Sequence, residues 1–358
     1  RTTIDVVLTE DNTSLEEVVV VGYGVQKKRD IVGAVEQISS KDIADRIGSY
    51  QNVSRSLQGA IPGLTVTFSD GKPTRGASFQ VRGANSIGAG GSALILVDGV
   101  ETDITTVNSE DIESISVLKD ASSTAVYGSR GTFGVILITT KRPEKGQMKI
   151  TYNGSYNFYK RTVTPELVDN GYDWTTSYLE AYTNSYATDP TNINNVFRFS
   201  RAWYSELERR NSDPSYEKWR INPADNRYEY FGNTNWYKIF YKDYTTGHQH
   251  NLSITGGTDK ASYYVSGRFF HQDGIYNAGD ERYNQYNVLA KGTVQATKWL
   301  RVENTTSFMS RFSHQPTLTT GGQSFTVTPT RMMNHQGFPM TLEKNPDGTW
   351  TDAAVYMG

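Results

Sequence analysis

Three histidines in the second half of this 358-residue sequence have a spacing that could hold a metal ion. His248 and His250 are two residues apart, so a strand would place them on one face, and His271 could approach from a neighbouring strand. All three lie near the ends of predicted strands, where an interfacial position explains them better. We therefore predict no metal and no cofactor.

Carboxylates could supply a different chemistry, the acid and base of a glycosidase. Asp98 with Asp103, and Glu110 with Asp111, are close in the sequence, but this says nothing about their separation in space. The chain has no cysteine nucleophile and no phosphate loop of the Gly-Lys-Ser/Thr type. We therefore predict that the chain is not an enzyme.

The composition of the chain argues against two further classes of protein: those that bind nucleic acid and those that cross a membrane as a helix. A formal net charge of −2 gives no electrostatic case for nucleic-acid binding. Apolar runs such as Val18 to Val21 are far shorter than the roughly 18 residues of a membrane-spanning helix. Tyrosine is abundant, with 23 residues, as expected of a protein with aromatic girdles at a membrane surface.

In the second half of the chain, where the three histidines lie, apolar and polar residues alternate with a period of two. Five segments alternate apolar and polar residues: 147–158, 247–256, 261–272, 283–296 and 299–312. Their charged residues all share the polar parity: Lys149, Arg268, Lys291, Arg301, Glu303 and Arg311. A Lys or Arg facing lipid would cost about 2–4 kcal/mol, so the pattern favours a membrane β-barrel with an apolar exterior. The alternative is a soluble antiparallel sheet with one solvated face. Four residues break the alternation: Tyr264, Phe270, Leu289 and Met309.

The connections between these segments alternate in length. Residues 257–260 and 296–298 are short turns, whereas about 85 residues separate the first two segments and a loop spans 274–279. Outer-membrane barrels have short periplasmic turns and long outer loops. The lengths therefore favour the membrane interpretation.

The first 145 residues predict a compact α+β domain. A helix is expected up to about Gln58, with strands at 64–68, 93–97 and 134–140. The pair Asp98-Gly99 predicts a turn, and Asp120 is expected to cap a helix over 121–127 that Gly128 closes. A charged linker at 141–146 separates this domain from the alternating segments.

Several motifs of the chain are those of a known family. They are LEEVVVVGYG at 15–24, GAIPGLTV at 59–66, VRGANS at 81–86, LVDGV at 96–100 and ISVLKDASSTAVYGSRGTFGVILITTK at 115–141. In this order they resemble the SusC/RagA class of TonB-dependent transporters, and the resemblance covers most of residues 5–312. It implies an N-terminal α+β plug domain within an antiparallel membrane β-barrel of about 22 strands, of which only the first are present here.

The resemblance also implies domain bounds. Residues 1–14 would end a small β-sandwich domain, 15–28 would hold the TonB box and linker, and 29–146 would form the plug. Residues 147–358 would be the N-terminal portion of the barrel, with a long extracellular loop at 161–246. We therefore expect this chain to be the N-terminal part of a longer one.

The resemblance assigns a docking role to the segment at 16–22. TonB, driven by ExbB and ExbD in the inner membrane, would bind Glu16, Glu17, Val18, Val19, Val20, Val21 and Gly22. Four consecutive β-branched residues favour an extended chain that can add to the edge of another protein's sheet. The alternative is an ordinary buried strand of the plug. The expected location is the outer membrane, with a periplasmic N-terminus.

Two further sets of residues are candidates for structural and binding roles. Turns of the plug would be held by Arg82, Gly83, Asn85, Asp98 and Gly99. Cargo or a lipoprotein would contact Trp174, Tyr178, Trp203, Trp219 and Trp236, since aromatic faces can stack on sugars or pack peptides. The alternative for each aromatic residue is support of a folded outer loop.

The function implied by the resemblance is TonB-dependent import of an oligosaccharide or oligopeptide. A surface lipoprotein of the SusD type would close over the barrel, and outer-membrane lipid would surround it. A receptor or signalling barrel, a siderophore-type transporter and a soluble β-rich enzyme or adhesin are the alternatives.

Overall fold

The structure is a computed structural model, and the part that it describes covers most of the chain. The described residues are 18–21, 24–27, 35–40, 42, 53–69, 76–81, 92–194, 197–277, 279–315, 318–320, 323–325 and 337–357. The chain divides into two compact units. The first contains 1–154, 249–269 and 285–311, and the second contains 155–248, 270–284 and 312–358.

Short elements make up the N-terminal part. The strands are β1 (Val18–Val21), β2 (Gly24–Lys27), β3 (Val35–Ser39), β4 (Leu64–Thr67), β5 (Ser78–Val81), β6 (Leu94–Val97), β7 (Val100–Glu101), β8 (Ile112–Leu118) and β9 (Val135–Thr140). The helices are α1 (Val53–Leu57) and α2 (Ala121–Thr124), with 3-10 segments at Ile104–Thr106, Ser109–Asp111 and Ala125–Gly131.

A five-stranded mixed sheet organises this domain, in the order β3-β8-β9-β6-β7. β6 and β9 are parallel, and the other neighbours are antiparallel. The central strand β9 is almost a continuous apolar run and is buried along most of its length, as is typical of a strand covered on both faces. Its Ile136 and Ile138 join α1, β4 and β5 in one core that includes Leu57 and Phe79. The predicted α+β domain is confirmed.

The predicted helix at 121–127 is wrong in both its length and its cap. α2 ends at Thr124 and continues as a 3-10 segment to Gly131, within which Gly128 has a φ of 59°. Asp120 makes no side-chain capping bond. Instead the Ser123 hydroxyl donates to the Asp120 carbonyl at 2.9 Å. Ser and Thr compete in this way with helical bonding, which shortens the helix.

Long strands dominate the rest of the chain. They are β10 (Gly146–Lys160), β13 (Tyr244–Gly257), β14 (Ala261–Asp273), β15 (Arg282–Gln295) and β16 (Arg301–His314), and they form one sheet in this order. The five predicted segments are therefore confirmed, although the long loop ends at residue 243 because β13 begins before the predicted 247. Shorter elements are β11 (Trp219–Ile221), β12 (Tyr228–Tyr230), β17 (Leu318–Thr320), β18 (Gln323–Phe325), α3 (Gly171–Tyr186), α4 (Arg201–Ser212), α5 (Trp236–Phe240) and α6 (Asp352–Met357).

The two faces of the long strands are inverted relative to a soluble sheet. On the polar parity Asn251 is 2% exposed and Arg268 is 5% exposed, whereas Phe158 on the apolar parity is 70% exposed. Within the described part of the chain, no helix combines the length and the apolar character needed to cross a membrane. On β13 to β15 the polar rows are therefore largely buried and the apolar rows are the more exposed, whereas both rows of β16 are largely exposed.

Candidate functional site

A nine-residue stretch of the N-terminal domain, residues 103–111, carries most of its polar contacts with the long strands, and we call it the docking segment. Its two 3-10 turns are each fixed by a preceding side chain. Asp103 Oδ1 accepts from the backbone N–H of Thr105 at 2.8 Å, and Asn108 Oδ1 accepts from that of Glu110 at 3.2 Å. Such caps satisfy backbone donors that a short turn leaves free. The docking segment is therefore a preformed surface.

Asp111 and Asn108 form the buried centre of the contact. Asn108 Nδ2 donates to Asp111 Oδ2 and to Asn251 Oδ1 of β13, both at 2.9 Å. The hydroxyl of Tyr264 on β14 donates to Asp111 Oδ1 at 2.8 Å. All four side chains are at most 3% exposed. Buried polar groups need such partners, so this network fixes the position of the docking segment against β13 and β14.

β15 and β16 bind the first turn of the docking segment. Gln285 Nε2 donates to the Thr105 carbonyl at 3.4 Å, and Asn287 Nδ2 donates to the Thr106 carbonyl at 2.6 Å. Arg311 Nη2 on β16 donates to the Thr105 hydroxyl at 3.0 Å. Gln285 and Asn287 thus satisfy carbonyls that the short 3-10 helix leaves unpaired.

The remaining long strand, β10, also binds the docking segment: Asn153 Nδ2 donates to Glu110 Oε2 at 3.0 Å. One short segment thus makes hydrogen bonds to all five long strands. Each of these bonds uses a side chain on the polar parity of its strand. The contact is therefore hydrophilic, unlike the apolar core of the N-terminal domain.

Asp98 makes a second contact with the strands. It lies with Gly99 in the turn between β6 and β7, and the two have φ values of 48° and 86°. Two positive φ values are what a two-residue hairpin turn requires. The Asp98 carboxylate accepts from Thr140 N at 3.0 Å and Thr140 Oγ1 at 2.6 Å, and from Lys291 Nζ of β15 at 2.9 Å. Lys291 also donates to the Thr140 carbonyl at 3.2 Å, so one lysine binds both the turn and β9.

A cavity of about 970 Å³ lies beside this ion pair, between the edge of the domain's sheet and β14 to β16. Its lining is rich in ion pairs. They are Asp98 with Lys291, Glu101 with Arg130, Lys145 with Asp259, and Arg301 with Glu303. Charged side chains therefore line much of this space, in contrast to the apolar core of the domain.

Comparison with known proteins decides the family. The model for the "TonB-dependent Receptor Plug Domain" matches residues 27–135. TonB-dependent receptor P3 of Formosa agariphila is 33% identical over 308 residues, which are 84% of this chain and 25% of that protein. TonB-dependent receptor SusC of Bacteroides thetaiotaomicron is 42% identical over 168 residues, 44% of this chain and 17% of that protein.

The chain belongs to the TonB-dependent receptor family. It spans about a quarter of the length of receptor P3. Among solved structures, the RagAB peptide importer in its "open-open" state matches with a TM-score of 0.63 and 29% identity, over 84% of this chain and 33% of that one. The predicted resemblance to SusC and RagA is confirmed, as is the fold class of a plug domain followed by barrel strands. These relatives are named as receptors and importers, in agreement with the prediction that the chain is not an enzyme.

The predicted TonB-docking segment is described only as backbone. β1 covers its four valines and pairs with β2 in an antiparallel hairpin, in which Val20 lies opposite Val25. The extended conformation expected of β-branched residues is confirmed. Glu16, Glu17 and Gly22 lie outside the described residues, as do the plug-motif residues Arg82, Gly83 and Asn85.

The histidines make contacts other than metal ligation. His271 Nδ1 is 2.7 Å from Asn284 Oδ1 and its Nε2 is 3.1 Å from Asp273 Oδ1, while His250 Nδ1 is 2.7 Å from the Tyr152 hydroxyl. Among the described residues, no group of three His, Cys, Asp or Glu side chains could hold a metal ion. Hydrogen bonding therefore explains these residues.

Two of the predicted ligand-contact aromatics, Trp203 and Trp236, are buried. Trp203 is 3% exposed against Phe231, and Trp236 is 4% exposed, with its Nε1 donating to Thr341 Oγ1 at 2.9 Å. Trp174 is half-buried, stacked on Tyr178 at 5.5 Å. Tyr178 and Trp219 are partly exposed, so these three remain candidates.

Sequence reasoning missed the docking segment and its partner Tyr264. A signal for the partner was present, since Tyr264, Phe270 and Leu289 break the alternation of the strands. All three are at most 7% exposed. At Tyr264 the aromatic residue in a polar row marks the contact with the docking segment.

Proposed function

We propose that this chain forms the gated part of an outer-membrane importer that TonB drives. The observation that carries the proposal is the hydrophilic contact between the plug and strands whose opposite rows are apolar. The outward rows suit lipid, in which a charged side chain at mid-depth would be costly. The contact with the plug consists of hydrogen bonds and ion pairs, which water can replace when the plug moves.

The proposed entry point for force is the segment Glu16 to Gly22, with the N-terminus in the periplasm. A strand such as β1 can add to a sheet edge of TonB, and TonB would then hold the strand through main-chain hydrogen bonds. ExbB and ExbD would supply the energy. Asp98 and Gly99, together with Arg82, Gly83 and Asn85, are proposed to hold plug turns in the resting state.

The proposed cargo is an oligopeptide or an oligosaccharide, delivered with a SusD-like surface lipoprotein. Similarity to a protein named as a peptide importer supports the first class. The folded loop between β10 and β13 carries the partly exposed aromatics Trp174, Tyr178 and Trp219, which we propose as contacts for cargo or lipoprotein.

Replacement of Val20 by proline tests the proposal. Proline lacks the N–H that a strand addition uses, so uptake is expected to fall to the level of a strain without TonB. Surface binding of cargo is expected to stay unchanged, because the outer loops are intact. Val20→Thr retains the β-branched side chain and serves as the control. Normal uptake by Val20→Pro would reject the proposal.

A further inference from the structure

The hairpin of β11 and β12 in the outer loop has two unlike faces. Its register places Trp219 opposite Tyr230 and Ile221 opposite Tyr228, with Arg220 opposite Glu229 between them. Alternation along a strand therefore puts the four apolar and aromatic residues on one face and the ion pair on the other.

The charged face is the one that packs against the loop's own core. Arg220 Nε binds Glu229 Oε2 at 2.6 Å and its guanidinium lies 5.5 Å from the ring of Phe231, which is 1% exposed. Glu206 of α4 approaches Arg220 at 3.9 Å and binds Arg210 at 2.8 Å. This network fixes the hairpin on α4 by its polar side, so the aromatic side faces outward.

The outward face presents rings in a fixed arrangement, and we call it the aromatic face (Trp219, Ile221, Tyr228 and Tyr230). Trp219 and Tyr228 meet edge to face at 5.8 Å, and Tyr228 and Tyr230 are nearly parallel at 6.5 Å. Ile221 is 50% exposed and the three rings are partly exposed. The Tyr230 hydroxyl donates to Asn345 Oδ1 at 2.7 Å, which holds that ring in place.

Two carboxylates, Asp352 and Asp347, act on this face. Burial raises the pKa of Tyr230 to about 12, and Asp352, Tyr228 and Asp347 act in the same direction. Asp347 is anionic at neutral pH, because hydrogen bonds from Thr349 hold its pKa below the usual range. An anionic ligand would be repelled at this face.

Aromatic rings and carboxylates both attract cations, the rings through the negative potential of their faces. The neighbouring segment shows the same chemistry, since Lys344 Nζ lies 4.6 Å from the ring centre of Trp350. The geometry points to the aromatic face as the seat of a lysine or arginine side chain of a peptide cargo. This inference rests on the proposed function only in taking the ligand to be a cargo.

Binding to the detergent-solubilised full-length protein tests the inference without TonB. Two blocked hexapeptides are compared by calorimetry, identical except that one has a central lysine and the other norleucine, which has a similar chain but no charge. A cation over an aromatic ring gains about 0.5–1 kcal/mol at an exposed site and about 2 kcal/mol when desolvated, so the lysine peptide should bind about 2–30-fold more tightly. Added salt should reduce the difference.

Two variants test whether the preference for the lysine peptide arises at the aromatic face. Tyr228→Leu keeps an apolar side chain but loses the ring, and Asp352→Asn removes an exposed charge; each should reduce the lysine preference by at least about twofold. Tyr186→Leu and Glu166→Gln, at exposed positions elsewhere in the loop, should leave it unchanged.

Equal binding of the two peptides, or a preference that both variants retain, would overturn the inference. The inference would also be overturned if neutral maltohexaose bound while neither peptide did, and if Tyr228→Leu abolished the binding of maltohexaose. Each of these results leaves the import proposal standing. Conversely, normal uptake by Val20→Pro would reject import without changing the peptide preference.

Discussion

Asp111 is a buried residue that joins the plug to the strands. Its two carboxylate oxygens accept from Tyr264 and Asn108 at 2.8 and 2.9 Å, and it is 3% exposed. A buried carboxylate that loses a donor retains its desolvation cost without the compensating bond. The stability of the docking segment is therefore expected to depend on Tyr264 through its hydroxyl rather than its ring.

Tyr264→Phe removes only that hydroxyl. It should destabilise the docking segment by about 1–3 kcal/mol, seen as faster amide hydrogen exchange over residues 103–111. The neighbouring Tyr263→Phe is the control, because Tyr263 lies on the outward row and is 38% exposed. Equal exchange in the two variants would show that Asp111 does not depend on this bond.

Lys291→Met tests the second contact of the plug. The Lys291 side chain is 9% exposed, and its loss leaves Asp98 with the Thr140 bonds alone. A hydrogen bond to a charged group contributes about 1.5–3 kcal/mol, so exchange should accelerate around the Asp98-Gly99 turn. Lys145→Met breaks the exposed pair with Asp259 and should change little, since surface pairs contribute about 0–1 kcal/mol. A similar effect of both variants would contradict the role given to burial.

For individual residues, the sequence predicted turns more accurately than it predicted side-chain contacts. Asp98-Gly99 was recognisable because few residue pairs accept two positive φ values. The burial of Trp203 and Trp236 was not predicted, because residue type does not reveal whether an aromatic ring is covered. Asn108 and Asp111 carried no signal, because their partners lie more than 140 residues away.

Among the elements, α4 and the β11–β12 hairpin are joined by charge. Burial acts to raise the pKa of Glu206, but Arg210 and Arg209 hold it below the ordinary value of 4.5. A lowered carboxylate pKa means that the stabilisation is complete at neutral pH and is lost as the pH falls through the folded-state value. Acidification should therefore loosen the hairpin from α4.

We expect this loss to amount to about 1–2 kcal/mol below pH 4.5. It can be measured as limited proteolysis of residues 213–230 at pH 7 and pH 3.5, with an acid-active protease calibrated on an unfolded substrate. Glu206→Gln should be cleaved faster than the wild type at pH 7 and should show a smaller change on acidification. The exposed Glu166→Gln should behave like the wild type. A wild-type protein without any pH response would contradict the sign of the effect.

The elements differ in how far the sequence predicts them. The long strands were located to within about three residues, because all five alternate polar and apolar residues; on β13 to β15 one row is buried and the other is exposed, which enforces the period of two. The 3-10 turns of the docking segment and the break after α2 were not predicted. Short turns depend on local side-chain hydrogen bonds that leave no periodic pattern.

For the molecule as a whole, the inverted polarity of the strands is the property on which the membrane interpretation depends. Outward residues such as Val288 (46% exposed) and Phe308 (60%) are apolar, while Gln285 and Asn287 are buried. In water this arrangement would leave a large apolar surface exposed. In a bilayer the same rows are the favourable ones.

Val288→Arg places a charge near the middle of β15 on the outward row. Because the cost of an arginine facing lipid is about 2–4 kcal/mol at mid-depth and about 0–1 near the interface, outer-membrane assembly should fall several-fold. Trp299→Arg is the control, since Trp299 lies in the short turn between β15 and β16 and is 83% exposed. The measurement is the amount of full-length protein in the outer-membrane fraction, with total expression as reference. If Val288→Arg assembled as well as Trp299→Arg, the outward row would not face lipid at this depth, and the chain would have to bury it against protein instead.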